Sequence, residues 1–226
     1  MNQKEQSILF WNHFFEEREP ISIKKRGLER DSILNRYLKI VGDTCENVLD
    51  IGCGTGICLM LSSILGSRME TGIGFDTSTN AIHIANQTKR LSKIKDLFFI
   101  VNDESFLSTL KDESFDGIIC SNVIDVLPPM ISNDILLHVK RILKPGGIFL
   151  LKLNFFLDQT LIEKYKMIEV EENLYEMNGV IRSYNLSTEA WIQKMQGFEV
   201  LKVDGYQRAE GLPLDRIILF SKRKCL

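Results

Sequence analysis

Histidine is scarce in this chain, cysteine is odd in number, and long apolar runs are missing. Only His13, His83 and His138 occur among 226 residues, and the five cysteines, Cys45, Cys53, Cys58, Cys120 and Cys225, include no Cys-x-x-Cys pair. That combination speaks against a zinc site and against a disulfide framework, and leaves the thiols as small packing residues. No stretch approaches the ~20 apolar residues that cross a bilayer. Residues 1–6 lack the cationic start and apolar core of a secretory signal, so no membrane partner and a cytoplasmic location are expected. An excess of one charge is absent too: 28 Lys and Arg against 30 Asp and Glu leave −2, with a pI near 6.0. Such a surface does not gather nucleic acid. The basic clusters Lys24-Lys25-Arg26 and Lys222-Arg223-Lys224 are short and read as solvated surface, the first with the option of meeting an anionic substrate. No internal repeat or low-complexity linker interrupts the chain, and its length suits one domain with a small appendage.

What is present is concentrated in residues 48–56, Val-Leu-Asp-Ile-Gly-Cys-Gly-Thr-Gly. Val48, Leu49 and Ile51 form a β-prone buried strand that stops in a loop with glycine at every second position, Gly52, Gly54 and Gly56. Ile57, Met60, Leu61, Ile64 and Leu65 then share one stripe of a helix, whose first N–H groups would face a ligand over the loop. A dinucleotide fingerprint would need Gly-x-Gly-x-x-Gly, and Ile57 occupies the third glycine position. A phosphate-binding loop would need lysine directly after the last glycine, and none follows before Lys89.

Downstream, strands and helices alternate as in a parallel sheet covered on both faces. Strands are expected at 69–75, ending in Asp76, at 97–101, ending at Asn102-Asp103, at 115–120, running into Ser121-Asn122, and at 148–156. Thr77 and Ser78 can cap the helix after the second strand, and a helix over 132–144 should stop at Pro145-Gly146-Gly147. A further helix is expected at 187–196. Strands at 198–206 and 216–221 are joined only by a loop and must be antiparallel. Ahead of the first strand, Leu34, Tyr37, Leu38 and Val41 lie at helical spacing, behind an aromatic run, Phe10-Trp11-Asn12-His13-Phe14-Phe15.

The acid two residues before Gly-x-Gly-x-Gly, together with the antiparallel ending, resembles the class I S-adenosylmethionine-dependent methyltransferases, over roughly residues 44–224. The resemblance implies a Rossmann-like, seven-stranded, mostly parallel α/β sheet of order 3-2-1-4-5-7-6 with an antiparallel last strand, residues 43–226 forming the domain and residues 1–42 a helical lid. It implies S-adenosylmethionine as methyl donor, S-adenosylhomocysteine as product, and a cofactor site built from Asp50, Gly52, Cys53, Gly54, Gly56, Asp76, Thr77, Asp103, Glu104, Ser121 and Asn122. In that site Asp50 and the loop meet the methionine end and Asp103 the adenine amino group. Asp103 could equally cap its own turn. Asp76, twenty residues after Gly56, can accept both ribose hydroxyls.

The acceptor is less legible. The Asn/Asp/Ser-Pro-Pro-aromatic signature of amino-methylating nucleic-acid enzymes is absent after the fourth strand, where Ser121-Asn122-Val123-Ile124 stands, and the Pro-Cys nucleophile of cytosine C5 enzymes is absent too. A small-molecule substrate is therefore expected, handled by a monomer or homodimer. Methyl transfer from a sulfonium leans on positioning, so no catalytic residue need be visible. Acceptor-side candidates are Trp11 and His13 on the lid, Asp125 as orienter, base or helix cap, and Tyr184 in the segment 154–184. That segment reads as substrate-contacting or as a plain surface hairpin.

Overall fold

The computed structural model describes residues 3–24 and 32–224. Lys25 and Arg26 of the first basic cluster, and Cys225, lie outside them. The chain opens with helix α1 (Gln3–Glu16) and helix α2 (Ile33–Thr44), whose first turn is closed by the Ser32 hydroxyl accepting from the Asn35 amide. Strand β1 (Asn47–Ile51) follows, then α3 (Ile57–Leu65), β2 (Thr71–Asp76), α4 (Thr79–Leu91), β3 (Leu97–Val101), a short α5 (Phe106–Thr109) and β4 (Phe115–Ser121). A 3-10 turn at Ile124–Val126 leads into α6 (Pro129–Ile142), with proline in its first turn where a missing N–H costs nothing. After β5 (Leu143–Leu153) come α7 (Gln159–Lys164), β6 (Ile168–Glu171), β7 (Leu174–Met177), β8 (Val180–Tyr184), α8 (Thr188–Lys194), β9 (Phe198–Tyr206) and β10 (Asp215–Lys222).

Seven strands form one sheet in the order β3-β2-β1-β4-β5-β10-β9. β10 runs antiparallel to both β5 and β9, while the other neighbours are parallel. This is the expected order. The two faces are written in the period of two: Ile218 and Phe220 of β10, with Phe149 and Leu151 of β5, join the core under α5, α6 and α8, while Ile217 and Leu219, with Ile148 and Leu150, join the core under α2, α3 and α4. Tyr37, Leu38 and Val41 of α2 are fully buried in the second core. α2 is thus a sheet-covering helix, and of the N-terminal stretch α1 is the part that stands over the strand ends.

Several boundaries move. The strand expected from residue 148 begins at Leu143, because the backbone after α6 pairs Leu143 with Phe115 and then bulges through Pro145-Gly146-Gly147 before Ile148 pairs with Gly117. Segment 154–184 is neither a bare hairpin nor a loop: β6, β7 and β8 make a separate three-stranded antiparallel sheet, with β8 packed against α1 and the 3-10 turn. The close approach of α2 to α3 rests on Gly42 and Gly66, since a Cβ on Gly42 would stand 2.0 Å from the Ser62 carbonyl oxygen.

Candidate functional site

Beyond the carboxyl ends of β1, β2, β3 and β4 lies a cavity of about 640 Å³, a size that holds a drug-sized ligand. Asp50, Gly52, Cys53, Gly54, Asp76, Thr77, Asp103, Glu104, Ser121 and Asn122 all line it, as does Trp11 from α1. Gly56, His13, Asp125 and Tyr184 do not.

The glycine loop owes its composition to backbone shape and to packing. Gly52, Gly54 and Gly56 have φ of +61°, +52° and +75°, the left-handed region that penalises side chains. A Cβ on Gly52 would press on Val123 and one on Gly56 on Phe99, so Gly56 is the packed N-cap of α3 rather than part of the cavity wall. Only Gly54 turns toward α1, where Phe15 lies 3.4 Å from where its Cβ would be.

Asp76 holds the loop from β2: its carboxylate accepts from the Gly54 amide at 2.9 Å and from the Ser78 amide at 2.9 Å. Each oxygen keeps a lone pair for a ligand hydroxyl. Burial raises its pKa, and those amides pull the other way. Asp50 is 1% exposed and its Oδ2 has no hydrogen-bond partner. Burial, followed by the neighbouring charge of Asp76, pushes its pKa up to about 8. A buried carboxylate with an orphaned oxygen on a cavity wall fits a cationic ligand group, as the ammonium of a methionine moiety would be. Asp103 at the end of β3 accepts from Lys4 of α1 at 2.8 Å, and Lys4 also reaches Glu104 at 2.7 Å. The Lys4 bond, and then the Ser105 hydroxyl, hold the Asp103 carboxyl down at about 2.

α1 is tied across the site. Its Asn12 side-chain oxygen accepts from the Ser78 hydroxyl at 2.8 Å, and the Asn80 side-chain amide donates to the Asn12 carbonyl at 3.0 Å. Trp11 and Phe15 thereby stand over the loop. His13 points away, exposed and paired with Glu16 at 2.9 Å. Tyr184 is buried in a T-shaped contact with Trp191, ring centroids 5.4 Å apart, with the Lys194 ammonium 5.6 Å over its ring. Asp125 is 2% exposed: one oxygen accepts from the Asn154 amide at 2.6 Å and from its side chain at 3.0 Å, and the other is buried without a partner. Burial raises its pKa. It holds Asn154 rather than facing the cavity or capping a helix.

Sequence reasoning missed the network behind Asn122. The Lys152 ammonium, 4% exposed, donates to the Asn122 side-chain oxygen at 2.8 Å and to Asp215 at 2.6 Å. Arg208 donates to the other Asp215 oxygen at 2.9 Å and to Asn154 at 3.0 Å, and the Asn122 side chain donates to Asn154 at 3.2 Å. Asn122, Asn154 and Arg208 all line the cavity. The available signal was Lys152 itself, a lone charge inside the apolar run 148–156, which demands a buried acid.

The methyltransferase-domain family pattern matches residues 43–203, which is most of the chain. The chain belongs to that family. It therefore joins the S-adenosylmethionine-dependent methyltransferases of class I fold, and the orphaned acid and the glycine loop fit that cofactor. Among curated proteins it is 34% identical over 100 residues to the ribosomal protein L11 methyltransferase of Thermosynechococcus vestitus, covering 44% of this chain and 30% of that one. The chain thus spans under a third of the length of that relative. A solved protein of Pyrococcus horikoshii shares the fold with a TM-score of 0.68 at 20% identity, covering 93% of this chain and 99% of that one. So does the Burkholderia thailandensis 1,6-didemethyltoxoflavin-N1-methyltransferase, solved with 1,6-didemethyltoxoflavin and S-adenosylhomocysteine, with a TM-score of 0.65 at 14% identity and coverage of 99% and 92%.

Proposed function

We propose that this chain transfers a methyl group from S-adenosylmethionine to a small molecule held between α1 and the sheet of β6, β7 and β8. The observation that carries the reading is one cavity with two unlike ends. Asp50, Asp76, Asp103 and Glu104 gather at the β1–β3 side, while Leu127, Phe155, Tyr165, Met167 and Met177 line the other. When bound, S-adenosylmethionine supplies an electrophilic methyl on a sulfonium. The chain's own residues do the positioning, which is where most of the rate of such a displacement arises. Asp76 accepts the ribose hydroxyls, with Thr77 beside it. Asp103 and Glu104 stand at the adenine edge, with Lys4 as their counter-ion. Asp50, with Gly52, Cys53 and Gly54, receives the methionine end. Ser121 and Asn122 carry the wall from there to the acceptor half, and Trp11 covers it.

Calorimetry should show S-adenosylmethionine and S-adenosylhomocysteine binding and NAD giving no heat. Asp76→Ala should lose about 100-fold or more in that affinity, since two charge-assisted bonds worth about 1.5–3 kcal/mol each disappear; unchanged affinity would sink the ribose assignment. Labelled S-adenosylmethionine incubated with a metabolite extract should yield a labelled small product that survives nuclease treatment. A second reading, a protein acceptor, draws on the likeness to the L11 methyltransferase of Thermosynechococcus vestitus. Label found in protein, and lost when the extract is first treated with protease, would favour it.

A further inference from the structure

We propose that Arg182 anchors a carboxylate on the acceptor, so that the far half of the cavity takes a small, flat, apolar monoacid. The assignment rests on the cofactor occupying the acid-lined half. Arg182 stands on β8 and lines the cavity, with its guanidinium 4.4 Å over the Phe10 ring and 5.6 Å from the centre of Trp11. Its Nη1 is buried with no hydrogen-bond partner. A guanidinium stays charged and offers five donors, so an orphaned N–H at a cavity wall is a site waiting for an acceptor atom. Among the described residues no carboxylate forms an ion pair with it, and burial alone pulls its pKa down. Of the other cations by the cavity, Arg208 and Lys152 share Asp215, and Arg18, just past the end of α1, lies over the Phe14 and Phe15 rings, next to the glycine loop. All four acids on the wall belong to the β1–β3 side, and two of them share the single charge of Lys4.

The unpaired charge of Arg182, on a wall shared with Phe155, Met167 and Met177, matches one negative charge on an otherwise apolar body. A carboxylate can take the guanidinium fork with two parallel bonds, whereas a phosphate dianion would leave a surplus charge among thioethers and rings. The stacking of the guanidinium on Phe10 and Trp11 fixes its plane in advance, so little ordering is needed on binding.

The test uses the full chain saturated with S-adenosylhomocysteine and titrated with matched pairs: benzoate against benzamide, and 4-hydroxybenzoate against 4-hydroxybenzamide. The acids should bind at least tenfold more tightly than their amides. Arg182→Met should abolish that preference while S-adenosylhomocysteine affinity stays within twofold, and Arg182→Lys should keep part of it. Thermal melts confirm that each variant folds, with Arg182→Gln in reserve. Acids binding no better than amides, or a preference that survives Arg182→Met, would overturn the proposal. A tenfold loss of S-adenosylhomocysteine affinity in Arg182→Met would overturn it too, by assigning the guanidinium to the cofactor. Failure of the wild-type chain to bind S-adenosylhomocysteine would instead strike the cofactor reading on which it rests.

Discussion

Asp50 is an acid with nothing to neutralise it, and that makes its protonation a reporter of the site. In the unfolded chain it titrates near 3.8, and in the folded chain at about 8 because burial and then Asp76 oppose its charge. Between those values the folded state holds a proton that the unfolded state has released, so stability falls as pH rises through that window and levels off above about 8. Asp50→Asn removes the titration. The melting temperature of the ligand-free variant should exceed that of the wild type at pH 8, with the gap closing toward pH 5; a gap independent of pH would show that Asp50 is not the group responsible. The signal for Asp50, Asp76 and Asp103 was already in the sequence, because each acid lies within two residues of the end of an apolar strand. What was not legible at this scale is which polar residues face inward. Asp125 and Tyr184 stand on elements beside the cavity, yet their side chains turn to Asn154 and to Trp191, and only neighbours distant in sequence decide that.

At the scale of elements, the contact of α2 with α3 and the placement of α1 carry most of the local consequence. Gly42 and Gly66 let two helices approach backbone to backbone, and an added methyl at Gly42 meets backbone atoms that cannot rotate away. Gly42→Ala should cost about 1–3 kcal/mol through overpacking, read as a lower urea midpoint with an unchanged slope. Helical periodicity found α2 but not its partner, since a 3.6-residue stripe names a face and never what covers it. α1 is held by Asn12 and Lys4 and brings Trp11 to the cavity, whereas Trp191 is fully buried in the core. S-adenosylhomocysteine should therefore change the tryptophan fluorescence of the wild-type chain, and Trp11→Phe should erase the change. A signal that persists in Trp11→Phe would place the reporter elsewhere.

For the whole molecule, the cavity is walled by β1–β4, α1 and the small sheet together, so a ligand filling it adds contacts to all three at once. At a free concentration 100 times its Kd, S-adenosylhomocysteine should add about 2.7 kcal/mol of stability. For a chain of this length that corresponds to a melting temperature higher by roughly 5–11 °C. NAD at the same concentration should leave it unmoved. No helix among the described residues is long and apolar enough to cross a membrane.

The strand that ends in Asp50, the glycine spacing, the acids at 76 and 103 and the antiparallel ending are local facts, each set by side-chain period or backbone conformation within a few residues. They carried the family resemblance, and it was the resemblance that implied the sheet order and the donor. Tertiary structure alone decided that Lys4 meets Asp103, that Lys152 and Arg208 share Asp215, and that Arg182 reaches the cavity beside Trp11. Those pairings join residues up to about 170 positions apart. No periodicity encodes such a meeting, because it depends on how both faces of the sheet are covered at once.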